Sequence, residues 1–258
     1  MFEVAPESHN ESRRRSVLIT GSGRGIGAAT ALLFARHGYA VCLNYVREQP
    51  VALENRIRDI GVPCVSVQAD VADEHQVIQL FDTAYTRFGY IDCLVNNAGV
   101  IAAQTRLENM STGRMRRLFD VNVLGCFVCA REAVRRMSTS LGGHGGSIVN
   151  VSSVAARTGA PNEYIDYAAT KGAIDTLTKG LAVEVADEGI RVNAVRPGFI
   201  HTEMHADGGE PDRIARLSPM IPMKRGGDAA EVAEAIYWLA SDASSYVTGT
   251  LIDIAGGR

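Results

Sequence analysis

The feature that most limits the fold is a series of short, continuously apolar runs. The stretches VLIT, AVCLNY, CLVN and SIVNV show no alternation of apolar and polar residues. Strands that read this way are buried on both faces, as in a parallel sheet covered by helices above and below. Seven such segments are expected, at Ser16–Thr20, Ala40–Tyr45, Pro63–Gln68, Ile91–Asn96, Gly146–Ser152, Ile190–Arg196 and Thr250–Ile254. Helical patterns fill the intervals, at Gly25–His37, Val51–Ile60, Asp73–Phe88, Thr112–Met137, Tyr164–Glu188 and Ala229–Ser241. Asp73 and Asp228 read as N-caps, and Gly38, Gly61, Gly89 and Gly189 as C-terminal stops. Repeated βα units with right-handed crossovers imply an α/β, doubly wound, mostly seven-stranded parallel sheet. Residues 1–15 read as a disordered tail and 16–258 as a single domain. The span of about 198–227 shows no clear strand and reads as a loop with a short helix.

The bulk numbers exclude several classes. The chain has 258 residues, 46% hydrophobic and 21% charged, enough for a large core in one α/β domain. A formal net charge of -3 gives no global field for nucleic acid or an acidic membrane. The basic run Arg13-Arg14-Arg15 reads as a solvated flank. Five cysteines do not make a disulfide scaffold, and Cys126-Phe-Val-Cys129 reads as buried helix rather than a redox or zinc pair. No apolar stretch reaches the ~18 residues of a membrane span, so a cytoplasmic, reduced setting is expected.

The first strand runs into TGSGRGIGAAT, where Gly21, Ser22, Gly23, Arg24, Gly25, Ile26 and Gly27 form the turn into the first helix. Glycines permit the tight turn and a close backbone approach, and the helix N-terminus offers free N–H groups to a pyrophosphate. The strand before and the helix after make this a dinucleotide site rather than a plain glycine turn. An NAD site places an acid about 20 residues on, at the end of the second strand. That position reads Leu43-Asn44-Tyr45, with no acid, while Arg24 and Arg47 supply cations nearby. NADP is therefore preferred, with NAD possible. The alternative is an Arg24 on a solvated turn that touches nothing.

Further motifs follow in order: Asn96-Asn97-Ala98-Gly99, Asn122 in DVNVLG, Ser152-Ser153, Tyr167-x-x-x-Lys171, Arg196-Pro197-Gly198 with Thr202, and the closing SYVTGTLIDIAGG. Together with the glycine turn they resemble the short-chain dehydrogenases/reductases over residues 16–258. Within that family the chain is most similar to sugar (glucose) dehydrogenases and 3-oxoacyl-carrier-protein reductases. The resemblance implies a Rossmann-type fold, a nicotinamide cofactor and a homotetramer or homodimer. It implies that Asp70 and Val71 hold the adenine end and that Asn97, with Ala98 and Gly99, lies near a ribose. Pro197, Gly198, Ile200 and Thr202 would line the nicotinamide. Asn122, Ser153, Tyr167 and Lys171 would form the catalytic tetrad.

The residue chemistry agrees with those roles. Hydride transfer to a ketone leaves a developing alkoxide, which needs a proton donor and a stabilising partner. A free tyrosine has a pKa of about 10, and an ammonium within ~5–6 Å lowers it. Residues four apart share a helix face, so Lys171 is expected to act on Tyr167. Tyr164 lies two turns, about 10 Å along the axis, from Lys171 and reads as a pocket wall or packing residue. Ser152 and Ser153 point to opposite faces if the strand persists, and Ser153 is taken as the donor to the substrate oxygen. Asn122 would hold a water linking Lys171 to solvent, or simply bond backbone. His201, Glu203 and His205 do not make a metal site, because the helix that spacing needs is doubtful. The leading reading is an oxidoreductase acting on a small carbonyl or alcohol substrate. The alternative is a catalytically silent nucleotide-sensing protein, against which Ser153, Tyr167 and Lys171 argue. An epimerase or dehydratase would need a larger C-terminal part.

Overall fold

A computed structural model describes residues 13–258. The elements in chain order are β1 (Ser16–Ile19), α1 (Gly25–Arg36), β2 (Ala40–Tyr45), α2 (Val51–Asp59), β3 (Cys64–Gln68), α3 (Glu74–Phe88) and β4 (Cys93–Asn96). There follow α4 (Thr112–Phe119), α5 (Gly125–Met137), β5 (Gly146–Val151), α6 (Ala155–Thr158), α7 (Ile165–Glu184) and β6 (Ile190–Pro197). The chain closes with β7 (Ile200–His201), α8 (Met204–Asp207), α9 (Arg213–Leu217), β8 (Gly227–Asp228), α10 (Ala229–Ala240) and β9 (Leu251–Ile254).

All seven expected strands form one parallel sheet in the order β3-β2-β1-β4-β5-β6-β9. This is the Rossmann-type doubly wound arrangement. Strand pleating sends alternate residues to opposite layers. Val17 and Ile19 pack with Phe34 of α1, Ile57 of α2 and Ile236 of α10. Leu18, between them, packs on the other face with Leu80 and Phe81 of α3 and Cys129 of α5. The chain reverses its winding between β1 and β4, so a crevice opens there at the strands' carboxyl ends.

Local signals account for the helix ends. The Asp73 side chain accepts from the His75 and Gln76 N–H groups, and Gly89 closes α3 in the left-handed region. Glu231 accepts from the Asp228 N–H at 2.8 Å, completing a capping box on α10. No helix among the described residues is long and apolar enough to cross a membrane. All five cysteines are buried and free.

Several expectations need correction. Residues 1–12 of the expected tail lie outside the described residues, but Arg13 and Arg15 are anchored. Arg13 pairs with Asp92 and lies 4.2 Å over the Tyr90 ring, and Arg15 pairs with Asp242 at 2.5 Å. The helix expected over Thr112–Met137 is interrupted by a π-helical turn at Asp120–Leu124. There Asn122 clamps the Val100 backbone, accepting from its N–H at 2.8 Å and donating to its carbonyl at 3.0 Å. Tyr164 is the non-helical N-cap residue of α7 rather than part of the helix. The span of 198–227 contains a short strand pair, Ile200 with Gly227 and His201 with Asp228, and the two short helices α8 and α9. Elements this short carry no periodicity to read.

Phe34 is fully buried and meets Tyr39 and Tyr237 edge-on, with ring centroids 5.0 and 5.3 Å away. Phe34→Ala is expected to lower unfolding free energy by about 3–5 kcal/mol in urea titrations, with an unchanged m-value.

Candidate active site

The turn between β1 and α1 is shaped by close backbone packing. Gly21 adopts φ +61°, and a Cβ at Gly27 would lie 2.6 Å from Asn97 Nδ2 and 2.7 Å from the Gly21 carbonyl oxygen. Gly23 faces open space. Helix α1 has no capping side chain and no acid in its first turn. Its first N–H groups are therefore left for an anion, which fits a dinucleotide pyrophosphate.

Neighbouring side chains brace this turn. Asn44 accepts from the Gly21 N–H at 3.0 Å and donates to the Ala69 carbonyl at 2.8 Å. The Ser22 hydroxyl donates to the Asn44 carbonyl and accepts from the Asn44 N–H. Asn97 Nδ2 donates to the Thr20 and Gly21 carbonyls, both at 2.9 Å, while Thr20 Oγ1 accepts from the Asn97 and Ala98 N–H groups. Asn44 and Ser22, expected as cofactor contacts, have fully buried side chains spent on the turn itself. Tyr45 is half-buried at the end of β2. Arg24 does not stand free on the turn: its guanidinium pairs with Asp207 of α8. Thr202 also reaches the turn, with Cγ2 3.3 Å from where a Cβ of Gly25 would be. Asp70 accepts from Arg117 at 3.0 Å, and Val71 is buried beneath Gly125.

A cavity of about 350 Å³ lies beyond the turn, with Ser153, Tyr164, Tyr167 and Lys171 in its lining. Pro197, Gly198, Ile200 and Thr202 contribute to the same lining. Lys171 Nζ is 5.6 Å from the Tyr167 ring centre and donates to the Val151 carbonyl at 2.7 Å. Gly99 sits between Lys171 and Asn122: a Cβ there would be 3.5 Å from Lys171 Nζ and from Asn122 Oδ1. Asn122 also donates to Thr170 Oγ1 at 3.1 Å, so its amide bonds protein groups as the plainer of the two expectations had it. β5 ends at Val151, just before Ser152 and Ser153, and the two side chains still take different surroundings. Ser152 is buried and donates to the Lys171 carbonyl at 3.2 Å and to Asp175 at 2.7 Å. Ser153 faces the cavity, and its Oγ accepts from the Ala155 N–H.

The electrostatics differ from the simple tyrosine–lysine expectation. Burial pushes the Tyr167 phenol up to about 12, with Ser153 pulling the other way. Burial likewise pushes the Lys171 ammonium down from the ordinary 10.5 to about 8. Desolvation penalises both charged forms, and in this structure it outweighs any lowering of the phenol by the lysine.

Sequence reasoning missed the charged groups that close the site. Arg213 of α9 is 6% exposed and lines the cavity. It pairs with Glu163, just before α7, and with Glu210 at 2.9 Å, and it lies 5.1 Å over the Tyr164 ring. The Tyr164 hydroxyl in turn donates to the Gly208 carbonyl at 3.4 Å. The segment after β7 is thus fastened onto the start of α7. No sequence pattern marks Arg213, because its partners lie 50 and 3 residues away with no shared period. His205 Nε2 is engaged with the Ile200 carbonyl at 3.0 Å.

Comparison with known proteins agrees with this geometry. The family described as enoyl-(acyl carrier protein) reductase matches residues 21–258. An oxidoreductase of Escherichia coli (strain K12), YgfF, is 56% identical over 243 residues, covering 93% of this chain and 98% of that protein. Glucose 1-dehydrogenase 2 of Bacillus subtilis (strain 168) is 38% identical over 245 residues, covering 94% of each. The crystal structure of 3-ketoacyl-(acyl-carrier-protein) reductase from Brucella melitensis complexed with NADH has a TM-score of 0.85 at 32% identity. That match covers 95% of this chain and 98% of that one. Both types singled out from the motifs are among the relatives. The chain belongs to the short-chain dehydrogenase/reductase family and is an NAD(P)-dependent oxidoreductase acting on alcohol and carbonyl groups.

Proposed function

We propose that the chain transfers a hydride between NADP(H) and a carbonyl or secondary-alcohol substrate, with Tyr167 as general acid and base. One observation carries this reading: Ser153, Tyr167 and Lys171 meet in a single cavity that also reaches Ile26 and Asn97 beside the glycine turn. When bound, the cofactor supplies or accepts the hydride at its nicotinamide ring. The turn from Gly21 to Gly27 and the α1 N-terminus would hold its pyrophosphate, and Asp70 and Val71 its adenine end. Asn97, Ala98 and Gly99 would lie along a ribose, with Pro197, Gly198, Ile200 and Thr202 at the nicotinamide.

In reduction, the Ser153 hydroxyl donates to the substrate oxygen. Tyr167 gives its phenolic proton to that oxygen as negative charge develops there. Lys171 carries the compensating positive charge and orients a ribose hydroxyl. Asn122 keeps the Val100 backbone in place beside Lys171. In oxidation the proton returns to Tyr167.

The preference for NADP rests on Arg24 and Arg47 and on a second strand that ends in Asn44 and Tyr45 without an acid. The Brucella relative binds NADH, so related chains accept the unphosphorylated cofactor. Here a 2′-phosphate would take Arg24 from Asp207. Exposed Phe119 on α4, Leu124 in the π turn, Phe127 on α5, Val183 on α7 and Trp238 on α10 support assembly into a homodimer or homotetramer. Five buried thiols and the net charge of -3 fit a cytoplasmic protein that engages neither nucleic acid nor membrane.

The purified chain is expected to oxidise NADPH with some member of a panel of small ketones, oxoesters and sugars, read by loss of NADPH absorbance. Tyr167→Phe should lower kcat by about 100- to 10,000-fold. Tight NADPH binding without turnover of any substrate would favour a sensor instead. Arg24→Ala should weaken NADPH binding about tenfold, or about 1.4 kcal/mol, and leave NADH binding within about twofold, by fluorescence titration. Lys171 also links stability to pH. Its folded pKa is depressed, so the unfolded chain binds more protons between about 8 and 10.5, and stability rises with pH across that window. Stability of the wild type relative to Lys171→Met should therefore increase by up to about 3 kcal/mol between neutral pH and about pH 10 in urea titrations.

A further inference from the structure

One buried ion pair next to the site has no part in the chemistry above. Asp166 immediately precedes Tyr167, and its side chain is 2% exposed; Arg114 of α4 is 15% exposed. The guanidinium grips the carboxylate with two prongs, Nε to Oδ2 at 2.6 Å and Nη2 to Oδ1 at 3.2 Å. The same carboxylate accepts from the Tyr167 N–H at 2.9 Å. The third guanidinium nitrogen, Nη1, donates to the Ala103 carbonyl. Ala103 lies two residues beyond Ile101, which lines the cavity. One side chain therefore joins α4, the first turn of α7 and the wall facing it.

We propose that Arg114 is a positioning residue for the reaction: through Asp166 it sets the first turn of α7, and with it the direction from which the Tyr167 phenol enters the cavity. The inference rests on the reading of Tyr167 as acid and base. Three observations support it. A buried ion pair is a costly way to gain stability, because desolvation offsets the attraction, whereas its two-pronged geometry fixes orientation. The start of a helix is its least constrained part, since its first N–H groups have no partner within the helix. Here one of those N–H groups belongs to Tyr167 itself, and the group that receives it is held by Arg114. A lysine at 114 would keep the charge but could not reach Asp166 with two prongs and Ala103 with a third.

The test compares Arg114→Lys, Arg114→Ala, Asp166→Asn and Tyr167→Phe for kcat, KM, NADPH affinity by fluorescence and thermal unfolding. Small errors in the placement of a reacting group are costly, so Arg114→Ala and Asp166→Asn should lose about tenfold or more in kcat. Arg114→Lys should lose about threefold or more while remaining folded at the assay temperature. In each variant KM and NADPH affinity should stay within about twofold of wild type, since the cofactor turn is untouched. A double variant carrying Arg114→Ala and Asp166→Asn should be no slower than the worse of those two singles, because both act through one contact. If folded Arg114→Lys and Asp166→Asn keep kcat within about twofold while Tyr167→Phe is inactive, the pair is only structural and the inference is overturned. If Tyr167→Phe stays active, the acid/base reading fails first and this inference fails with it.

Discussion

Everything in the molecule depends on burying a parallel sheet on both faces. Because all seven strands run the same way, their carboxyl ends share one edge. The glycine turn after β1, the Asn97 turn after β4, Ser153 after β5 and Pro197 at the end of β6 therefore converge without any long-range coding for convergence. The same constraint explains why the layers are so apolar. Val17 and Ile19 serve one layer and Leu18 the other, so the three central positions of the first strand are all apolar.

Polar groups then decide the fine placement. Asn44, Ser22 and Asn97 are spent on holding the turn in shape. A second network anchors the far side of α7. Asp175 accepts from Ser152 at 2.7 Å and from Arg196 at 2.7 and 3.0 Å, and Arg196 continues to Asp253 of β9. Lys171 is thus one turn from a buried, paired carboxylate, on a helix tied to β5 and β6. Preorganisation of this kind keeps a site in shape without relying on its ligand.

The strands, the helices and the main site were legible because each has a local signature. Continuous apolar runs announced the strands, Asp73 and Asp228 their caps, and the glycine turn its place between β1 and α1. Pleating said only that one of Ser152 and Ser153 could face the site, and the choice of Ser153 came from the family resemblance. What remained hidden depended on contacts between distant positions. Arg114 and Asp166 are 52 residues apart, and Arg213 and Glu163 are 50 apart. Charged residues at such positions read as solvated surface until the fold buries them. The rise of the Tyr167 pKa was also hidden, since it comes from burial and not from the spacing to Lys171. The strand pair β7 and β8 is two residues long on each side, below any periodicity.

The π turn at Asp120–Leu124 has a consequence for the chain's phasing. An α-helix rotates by about 100° per residue, so one extra residue within a turn shifts every later side chain by that angle. The shift lets α4 present Leu118 to Tyr164 and Tyr167, while α5 still turns Cys129, Ala133 and Met137 toward the sheet. Removing a single residue there would restore an unbroken helix but swing those three side chains out of the layer they fill. The spacing between the active-site layer and the sheet layer is thus recorded as a count of residues.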